Sequence, residues 1–251
     1  MRYALYVVLF MLLQPVQIAR AESEVRLDHV KIDLRDKAAL QRGAKYFVNY
    51  CLSCHEAKYV RYGQLTKPLG LTENQLLHNL DFTGNKIGAQ MTVAMSRQDA
   101  KKWFGVIPPD LSDIANVRGA DWIYTYLRSF YLDKTRPNGV NNLVFDNVAM
   151  PDILWQLQGM QAPVYKTVSG ADGKSHKIIS GLKRSTPGTM SPEQFDRAVR
   201  DLVTFLVFLS EPYKLQSEHI GLWFLGVLVL FTLLAYLLKR EYWKDVDKSS
   251  E

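Results

Sequence analysis

Both cysteines of the chain lie in one pentapeptide, Cys51-Leu52-Ser53-Cys54-His55, and this stretch constrains the fold more than any other. The pattern Cys-x-x-Cys-His is the attachment signature of c-type haem. Two thiols three residues apart on a helical turn can add to the two vinyl groups of one porphyrin, and the histidine that follows can bind the iron. A bare Cys-x-x-Cys pair would also suit thioredoxin-like redox chemistry or half of a zinc site. Because no second cysteine pair is present and His55 directly follows Cys54, we predict one covalent haem c.

The N-terminus has the pattern of a secretory signal peptide. Arg2 precedes an apolar stretch at residues 3–13, and Ala19-Arg20-Ala21 follows as a cleavage site of the A-x-A type. The apolar stretch is too short to cross a bilayer, which takes about 20 residues. We therefore predict a signal peptide at residues 1–21 and a mature chain that is exported from the cytoplasm.

A second apolar stretch, residues 220–238, is long enough to cross the hydrocarbon core as a helix. Lys239 and Arg240 follow it directly, and basic residues beside a span mark its cytoplasmic end. The sequence thus predicts a single-pass protein of the bacterial inner membrane. Its segments are a signal peptide (1–21), a periplasmic c-type haem domain (22–219), a transmembrane anchor (220–238) and a cytoplasmic tail (239–251).

The charge pattern argues against a nucleic-acid partner. The chain has 31 Lys and Arg residues against 25 Asp and Glu residues, and it contains no run of five basic residues. Such a small, dispersed excess is not the basic patch that binds phosphate backbones.

Apolar periodicity and capping residues predict a mainly α fold. Helices are expected at residues 36–50, 72–80, 96–104, 121–131 and 191–210, and Asp110 is expected to cap a turn up to Ala115. Gly43, inside the first helix, would let another helix cross closely. Residues 56–71 and 136–150 are expected to be loops, and residues 164–168 and 177–179 a small β-hairpin. The predicted fold class is therefore a cytochrome c-type haem domain with long loops, a small β-hairpin and one C-terminal transmembrane helix.

A haem held by one histidine leaves the sixth position of the iron open, and a methionine there suits an electron carrier. Met150 has the best local case, because it ends the irregular loop and Pro151 stiffens the backbone beside it. The sequence also leaves other candidates, namely Met91, Met95, Met160 and Met190 and the histidines His29, His78, His176 and His219.

The sequence resembles the cytochrome c1 family of proteobacteria over nearly the whole mature chain. The most specific match is Pro108-Pro109-Asp110-Leu111-Ser112, which resembles the P-P-D-L-S segment of the family. Asn147-Val148-Ala149-Met150-Pro151 resembles the segment that supplies the axial methionine. The haem motif continues through Tyr59, Val60 and Tyr62 as it does in the family, and the C-terminal anchor completes the resemblance.

The resemblance implies a function and a set of site residues. The haem would be held by Cys51, Cys54, His55 and Met150, with His55 and Met150 as the iron ligands. Pro108 and Pro109 would line the haem pocket, and Arg118 would lie near a haem propionate. Trp122 stands where the family often has tyrosine.

By the same resemblance, the chain would be an electron-transfer subunit of ubiquinol–cytochrome c reductase and not an enzyme on its own. Its partners would be the cytochrome b subunit, the Rieske iron–sulfur subunit and a soluble or membrane-attached c-type cytochrome, within a dimeric complex in the lipid bilayer. Two other classes are open from the residues alone. One is a different membrane-anchored monohaem cytochrome c, and the other is a haem sensor whose sixth position binds small ligands.

Overall fold

The computed structural model describes residues 25–169 and 175–244, and its core forms where two helices cross. Helix α1 spans Lys37–Tyr46. Its N-cap is Asp36, whose side chain accepts a hydrogen bond from the N–H of Ala39. The helix continues as a π-helical turn over Phe47–Cys51. This confirms the predicted helix 36–50. Cys51 lies at the C-terminal end of the π-helical turn and is buried.

The partner of α1 comes from the C-terminal half of the chain. This partner, helix α8, spans Pro192–Ser210 and begins with a capping box between Ser191 and Gln194. The two helices cross at Gly43, where a Cβ atom would lie 2.1 Å from the carbonyl oxygen of Asp201. The close approach that the sequence predicted at Gly43 is therefore present, and it brings the N-terminal haem motif onto the C-terminal helix.

The stretch at residues 56–71 was expected to be a loop, and this prediction is wrong. It forms strand β1 (Ala57–Arg61) and helix α2 (Tyr62–Leu69). Gly63 and Pro68 suggested a break, but Tyr62, Leu65 and Leu69 bury one face of the helix. The helix ends at Gly70, whose φ of 65° is the left-handed conformation that glycine adopts readily.

The next two helices agree with the sequence. Helix α3 spans Glu73–Leu80 and helix α4 spans Arg97–Phe104, and the side chains of Thr72 and Ser96 cap them. Between them, strand β2 (Gln90–Met91) pairs antiparallel with β1.

The middle of the chain holds two short helices and two short strands: α5 (Ile114–Arg118), α6 (Ala120–Arg128), β3 (Phe130–Leu132) and β4 (Val140–Asn142). The helix predicted at 121–131 therefore ends three residues early, because Phe130 and Tyr131 pair with β4. The same pairing places a strand inside the stretch 136–150, which was expected to be irregular throughout.

The predicted hairpin is present and longer than expected. After the single turn of helix α7 (Trp155–Gln158), strand β5 (Gln161–Ser169) pairs antiparallel with strand β6 (Ser175–Arg184). The turn predicted at residues 171–173 lies outside the described residues.

Helix α9 spans Lys214–Trp243 and contains the whole predicted anchor, residues 220–238. Among the described residues it is the one helix that is long and apolar enough to cross a membrane. The predicted signal peptide at residues 1–21 lies outside the described part of the chain, as does the predicted tail beyond residue 244. The described fold is mainly α, with three two-stranded sheets rather than one hairpin.

Candidate haem-binding site

The haem motif forms a tight turn at the end of α1. The N–H groups of Cys54 and His55 both donate to the carbonyl oxygen of Cys51, at 3.0 and 2.8 Å. Both cysteines are free, Cys51 being buried and Cys54 half-buried. Burial raises the pKa of the Cys51 thiol to about 12. A buried thiol with a raised pKa is not the activated thiolate of a thioredoxin-like redox pair.

His55 is oriented by the backbone of the P-P-D-L-S segment. Its Nδ1 lies 2.8 Å from the carbonyl oxygen of Pro109. A carbonyl oxygen can only accept, so Nδ1 carries the proton and Nε2 keeps its lone pair. Burial lowers the pKa of His55, which further favours the neutral ring. A neutral imidazole with one nitrogen held by a carbonyl is the usual form of a metal-ligating histidine.

Hydrogen bonds join the P-P-D-L-S segment to the residues that directly follow His55. The N–H of Leu111 donates to the carbonyl oxygen of Glu56 at 2.8 Å, and the N–H of Tyr59 donates to the hydroxyl of Ser112 at 3.1 Å. The carboxylate of Asp110 accepts from the N–H of Ser112. The expectation that Asp110 caps a turn up to Ala115 is confirmed at the start of that turn, where its carboxylate accepts from Ser112, and helix α5 (Ile114–Arg118) then extends beyond Ala115.

The two prolines contribute differently. Pro108 is half-buried and Pro109 is exposed, and Pro109 acts on the site through its carbonyl group.

Met150 lies at the end of the 136–150 stretch. Its Sδ atom is 3.3 Å from the hydroxyl of Tyr126. The side-chain amide of Asn138 lies 3.2–3.4 Å from the carbonyl oxygens of Val148, Ala149 and Met150, so one side chain fastens the whole segment. Burial raises the pKa of Tyr126, so its hydroxyl keeps the proton that it donates to the sulfur.

Three of the other candidate methionines pack in apolar clusters. Met91 is fully buried in the main core, where β2 pairs with β1. Met190 packs against the main core and Met160 against a smaller cluster of Phe130, Val140 and Val148. Met150 packs against both the main core and the Phe130 cluster.

A row of aromatic rings leads from Met150 to Arg118. The ring of Trp122 stacks on Tyr126 at 4.9 Å between centroids and 10° between planes. The guanidinium of Arg118 lies 4.9 Å from the Trp122 ring and 5.9 Å from that of Phe145. Arg118 is exposed and forms no salt bridge with any residue in the described ranges, so its charge is available to an anion such as a haem propionate.

These residues fit a covalent haem. Two thiols lie on one turn, a neutral histidine presents Nε2, and a thioether is held on a separate segment beside the aromatic row. Within residues 25–169 and 175–244, no cluster of three His, Cys, Asp or Glu side chains could hold a metal ion by itself.

Sequence reasoning missed two residues that shape the site, Tyr126 and Asn138. In the sequence, Tyr126 lies within the predicted helix 121–131 and Asn138 within the predicted loop 136–150. The position of Tyr126 four residues after Trp122 was the signal that could have linked it to the haem pocket.

The fold and the motif together define a class of protein. A mainly helical domain that carries Cys-x-x-Cys-His on a turn and continues into one long apolar helix is a membrane-anchored c-type cytochrome. Within that class, a model of the Cytochrome C1 family matches residues 30–246. The chain belongs to the cytochrome c1 family, as its sequence motifs predicted.

Individual relatives agree with this assignment over most of their length. The chain is 48% identical to a cytochrome c1 of Allochromatium vinosum, over 94% of this chain and 96% of the relative. It is 26% identical to a cytochrome c1 of Blastochloris viridis, over 85% and 83%. It is also 44% identical to a Nitrosomonas europaea protein named ammonia monooxygenase gamma subunit, over 98% of this chain and the whole relative. Membership implies covalent haem c and electron transfer in the membrane-bound cytochrome bc1 complex, together with cytochrome b.

Proposed function

We propose that this chain carries single electrons within ubiquinol–cytochrome c reductase, from the Rieske iron–sulfur subunit to a periplasmic c-type cytochrome. The observation that carries the proposal is the pair of oriented ligands. Nδ1 of His55 is held by the Pro109 carbonyl, and the Met150 sulfur is held by the Tyr126 hydroxyl. If His55 and Met150 both held the iron of a bound haem, the site would suit a one-electron relay and oppose small-ligand binding.

In this assignment Cys51 and Cys54 attach the haem, and His55 and Met150 bind the iron. Bound haem c supplies one-electron exchange between ferric and ferrous iron. The protein carries out no bond-making step of its own, so we describe it as the electron-carrying subunit of an oxidoreductase. The thioether ligand raises the reduction potential, and the hydrogen bond from His55 tunes the basicity of the other ligand.

The surrounding residues would orient the group. By the family resemblance Pro108 and Pro109 line the pocket, and the Pro109 carbonyl lies 2.8 Å from His55. Tyr126, stacked on Trp122, contacts the Met150 sulfur through its hydroxyl. Arg118 offers a cation for a propionate at the exposed end of the aromatic row.

We further propose the topology that the sequence predicts. Residues 1–21 are removed as a signal peptide, residues 22–219 form the periplasmic haem domain, and residues 220–238 anchor it in the inner membrane. Residues 239–251 remain in the cytoplasm. The unbroken helix across 220–238 supports a single span, and Lys239 and Arg240 support its orientation.

The test is to purify the intact chain gently in detergent and to identify the proteins that accompany it. We expect a cytochrome b and a Rieske protein, in a complex that contains two copies of each subunit. The relative named after ammonia monooxygenase motivates the alternative. Co-purification with an ammonia-oxidising complex, and without cytochrome b, would contradict the proposal and assign the chain to that assembly.

A further inference from the structure

The β5–β6 hairpin, residues 161–184, has no role in the haem site and projects as a two-stranded arm, here called the basic arm. Its strands are nine and ten residues long. At about 3.4 Å per residue, each strand extends roughly 30 Å. The neighbouring residues Val164 and Tyr165 are 44% and 58% exposed. Because successive side chains in a strand point to opposite faces, neither face of the arm is covered there.

The charge of the basic arm is mostly positive. Residues 161–184 contain five Lys and Arg residues and one Asp. In its described part the side chains of Lys166, Lys177 and Lys183 are exposed and form no salt bridge with any described residue. A surface of free lysines beside apolar side chains is complementary to an acidic protein surface.

The strand register gathers these features on one face. Lys166 lies opposite Ile178, and Ala162 lies opposite Lys183. Positions 162, 164 and 166 share a face of β5. Opposite the step from Val164 to Tyr165, a β-bulge adds one residue to β6, so Ile178 and Lys183 both lie on that face. Val164, Lys166, Ile178 and Lys183 therefore form one patch with apolar residues between two lysines.

The base of the arm is fastened to the Met150 side of the haem site. The side-chain amide of Gln161 donates to the carbonyl oxygens of Arg128 and Phe130, at 2.8 and 2.9 Å. Met160, just before the arm, packs in the Phe130 cluster that Met150 also contacts. A protein bound to the arm would therefore lie next to the wall of the haem site.

The position of the arm favours a protein over a lipid headgroup. Arg184, at the end of β6, lies near Met190, just before the start of α8. The anchor helix begins after the other end of α8, which is 19 residues long. At 1.5 Å per residue, the base of the arm is about 28 Å along α8 from the membrane end.

From these observations we infer that the basic arm docks an acidic electron-transfer protein through Val164, Lys166, Ile178 and Lys183, and that this protein is the soluble c-type cytochrome that accepts the electron. The inference rests on the proposed relay function and adds to it the docking surface and the charge of the acceptor. Lysines at the edge of such an interface act mainly by speeding association, so their effect is largest at low ionic strength.

The test uses the intact haem-loaded chain in detergent and a soluble c-type cytochrome of net negative charge. The arm variant carries Lys166→Glu and Lys183→Glu. The control variant carries Lys37→Glu and Lys67→Glu, which are exposed lysines on or beside α1 and α2, so both variants have the same net charge. Association is measured by surface plasmon resonance, and electron transfer by stopped-flow absorbance, each at low and at high ionic strength.

We expect the arm variant to associate about tenfold more slowly than wild type at low ionic strength, with the difference largely removed by salt. The control variant should stay within about twofold of wild type. Equal losses in both variants, or a wild-type rate in the arm variant, would overturn the docking site. Normal association without electron transfer would instead refute the relay function and leave the docking site in place.

Vesicles that contain phosphatidylglycerol test whether the arm binds an anionic lipid headgroup instead of an acidic protein. We expect both variants to bind these vesicles as wild type does. If the arm variant loses vesicle binding while its association with the cytochrome is unchanged, the arm binds lipid and the inference is wrong.

Discussion

Replacing Gly43 by alanine tests the helix crossing that positions the haem motif. The added Cβ would lie 2.1 Å from the carbonyl oxygen of Asp201 and 2.7 Å from the Cβ of Phe205. Ordinary contacts of this kind are 3.4–4 Å, so α1 and α8 must separate by more than 1 Å. The atom in the way belongs to the backbone of α8, and a side-chain rotation cannot relieve the overlap.

The expected loss of stability follows from two opposing contributions. Alanine in place of glycine favours an α-helix by about 1 kcal/mol. Overpacking costs typically about 1–3 kcal/mol, and more where the backbone must shift. Separation of the helices also weakens the contact between Phe47 and Phe205, whose rings lie 5.5 Å apart. We expect a net loss of about 2 kcal/mol, which lowers Tm by about 4–8 °C for a domain of this size.

Circular dichroism at 222 nm during heating of the detergent-solubilised holoprotein measures this change. Gly88→Ala is the matched control, because a Cβ at Gly88 meets nothing within 4 Å. The control should keep the wild-type Tm to within about 2 °C. A Gly43→Ala protein as stable as the control would show that α1 and α8 do not cross this closely, and the reasoning would be refuted.

Three further substitutions test the haem site. Tyr126→Phe keeps the ring on Trp122 and removes the hydroxyl 3.3 Å from the Met150 sulfur, so the charge-transfer band of sulfur-ligated ferric haem should disappear at lower pH than in wild type. An unchanged pH titration would show that the Tyr126 hydroxyl does not contact the Met150 sulfur in the haem-loaded protein. Asn138→Ala frees three carbonyl groups of the methionine segment and should lower the free energy of unfolding by about 1–2 kcal/mol, measured in urea. A wild-type midpoint would mean that the segment is held otherwise. Arg118→Gln removes a cation from the proposed propionate site and should lower the reduction potential in a redox titration, whereas an unchanged potential would place Arg118 away from the haem.

Much of this fold could be predicted from local sequence signals. The caps at Asp36, Thr72, Ser96 and Ser191 each begin a helix where the sequence placed one, because a capping side chain acts within its own turn. The helix crossing at Gly43 also followed from one residue, since glycine inside a helix is costly without a packing reason.

The remaining features depend on distant contacts. Helix α2 was mistaken for a loop because Gly63 and Pro68 outweighed the apolar face that only the core reveals. Strand β4 exists because it pairs with β3, and neither strand has a strong pattern of its own. The roles of Pro109 and Asn138 reside in a carbonyl acceptor and an amide donor whose partners lie 54 and up to 12 residues away.

The candidate site residues could be predicted from the sequence to different extents. Cys51, Cys54 and His55 were identifiable because covalent attachment requires a fixed local spacing. Met150 needed the resemblance to a family, since a methionine 95 residues after His55 carries no spacing signal. The basic arm was not anticipated, because its lysines alternate along two strands and form a patch only when the strands pair.

The absorption spectrum of the intact protein with and without carbon monoxide tests the central claim most directly. If His55 and Met150 hold the iron as proposed, the protein should have a low-spin spectrum that carbon monoxide does not readily change. Met150→Leu should convert the haem to a high-spin form that binds carbon monoxide and has a lower potential, while Met95→Leu should match wild type. Rapid carbon monoxide binding by the wild-type protein would contradict the account and identify a ligand-binding haem instead of a relay.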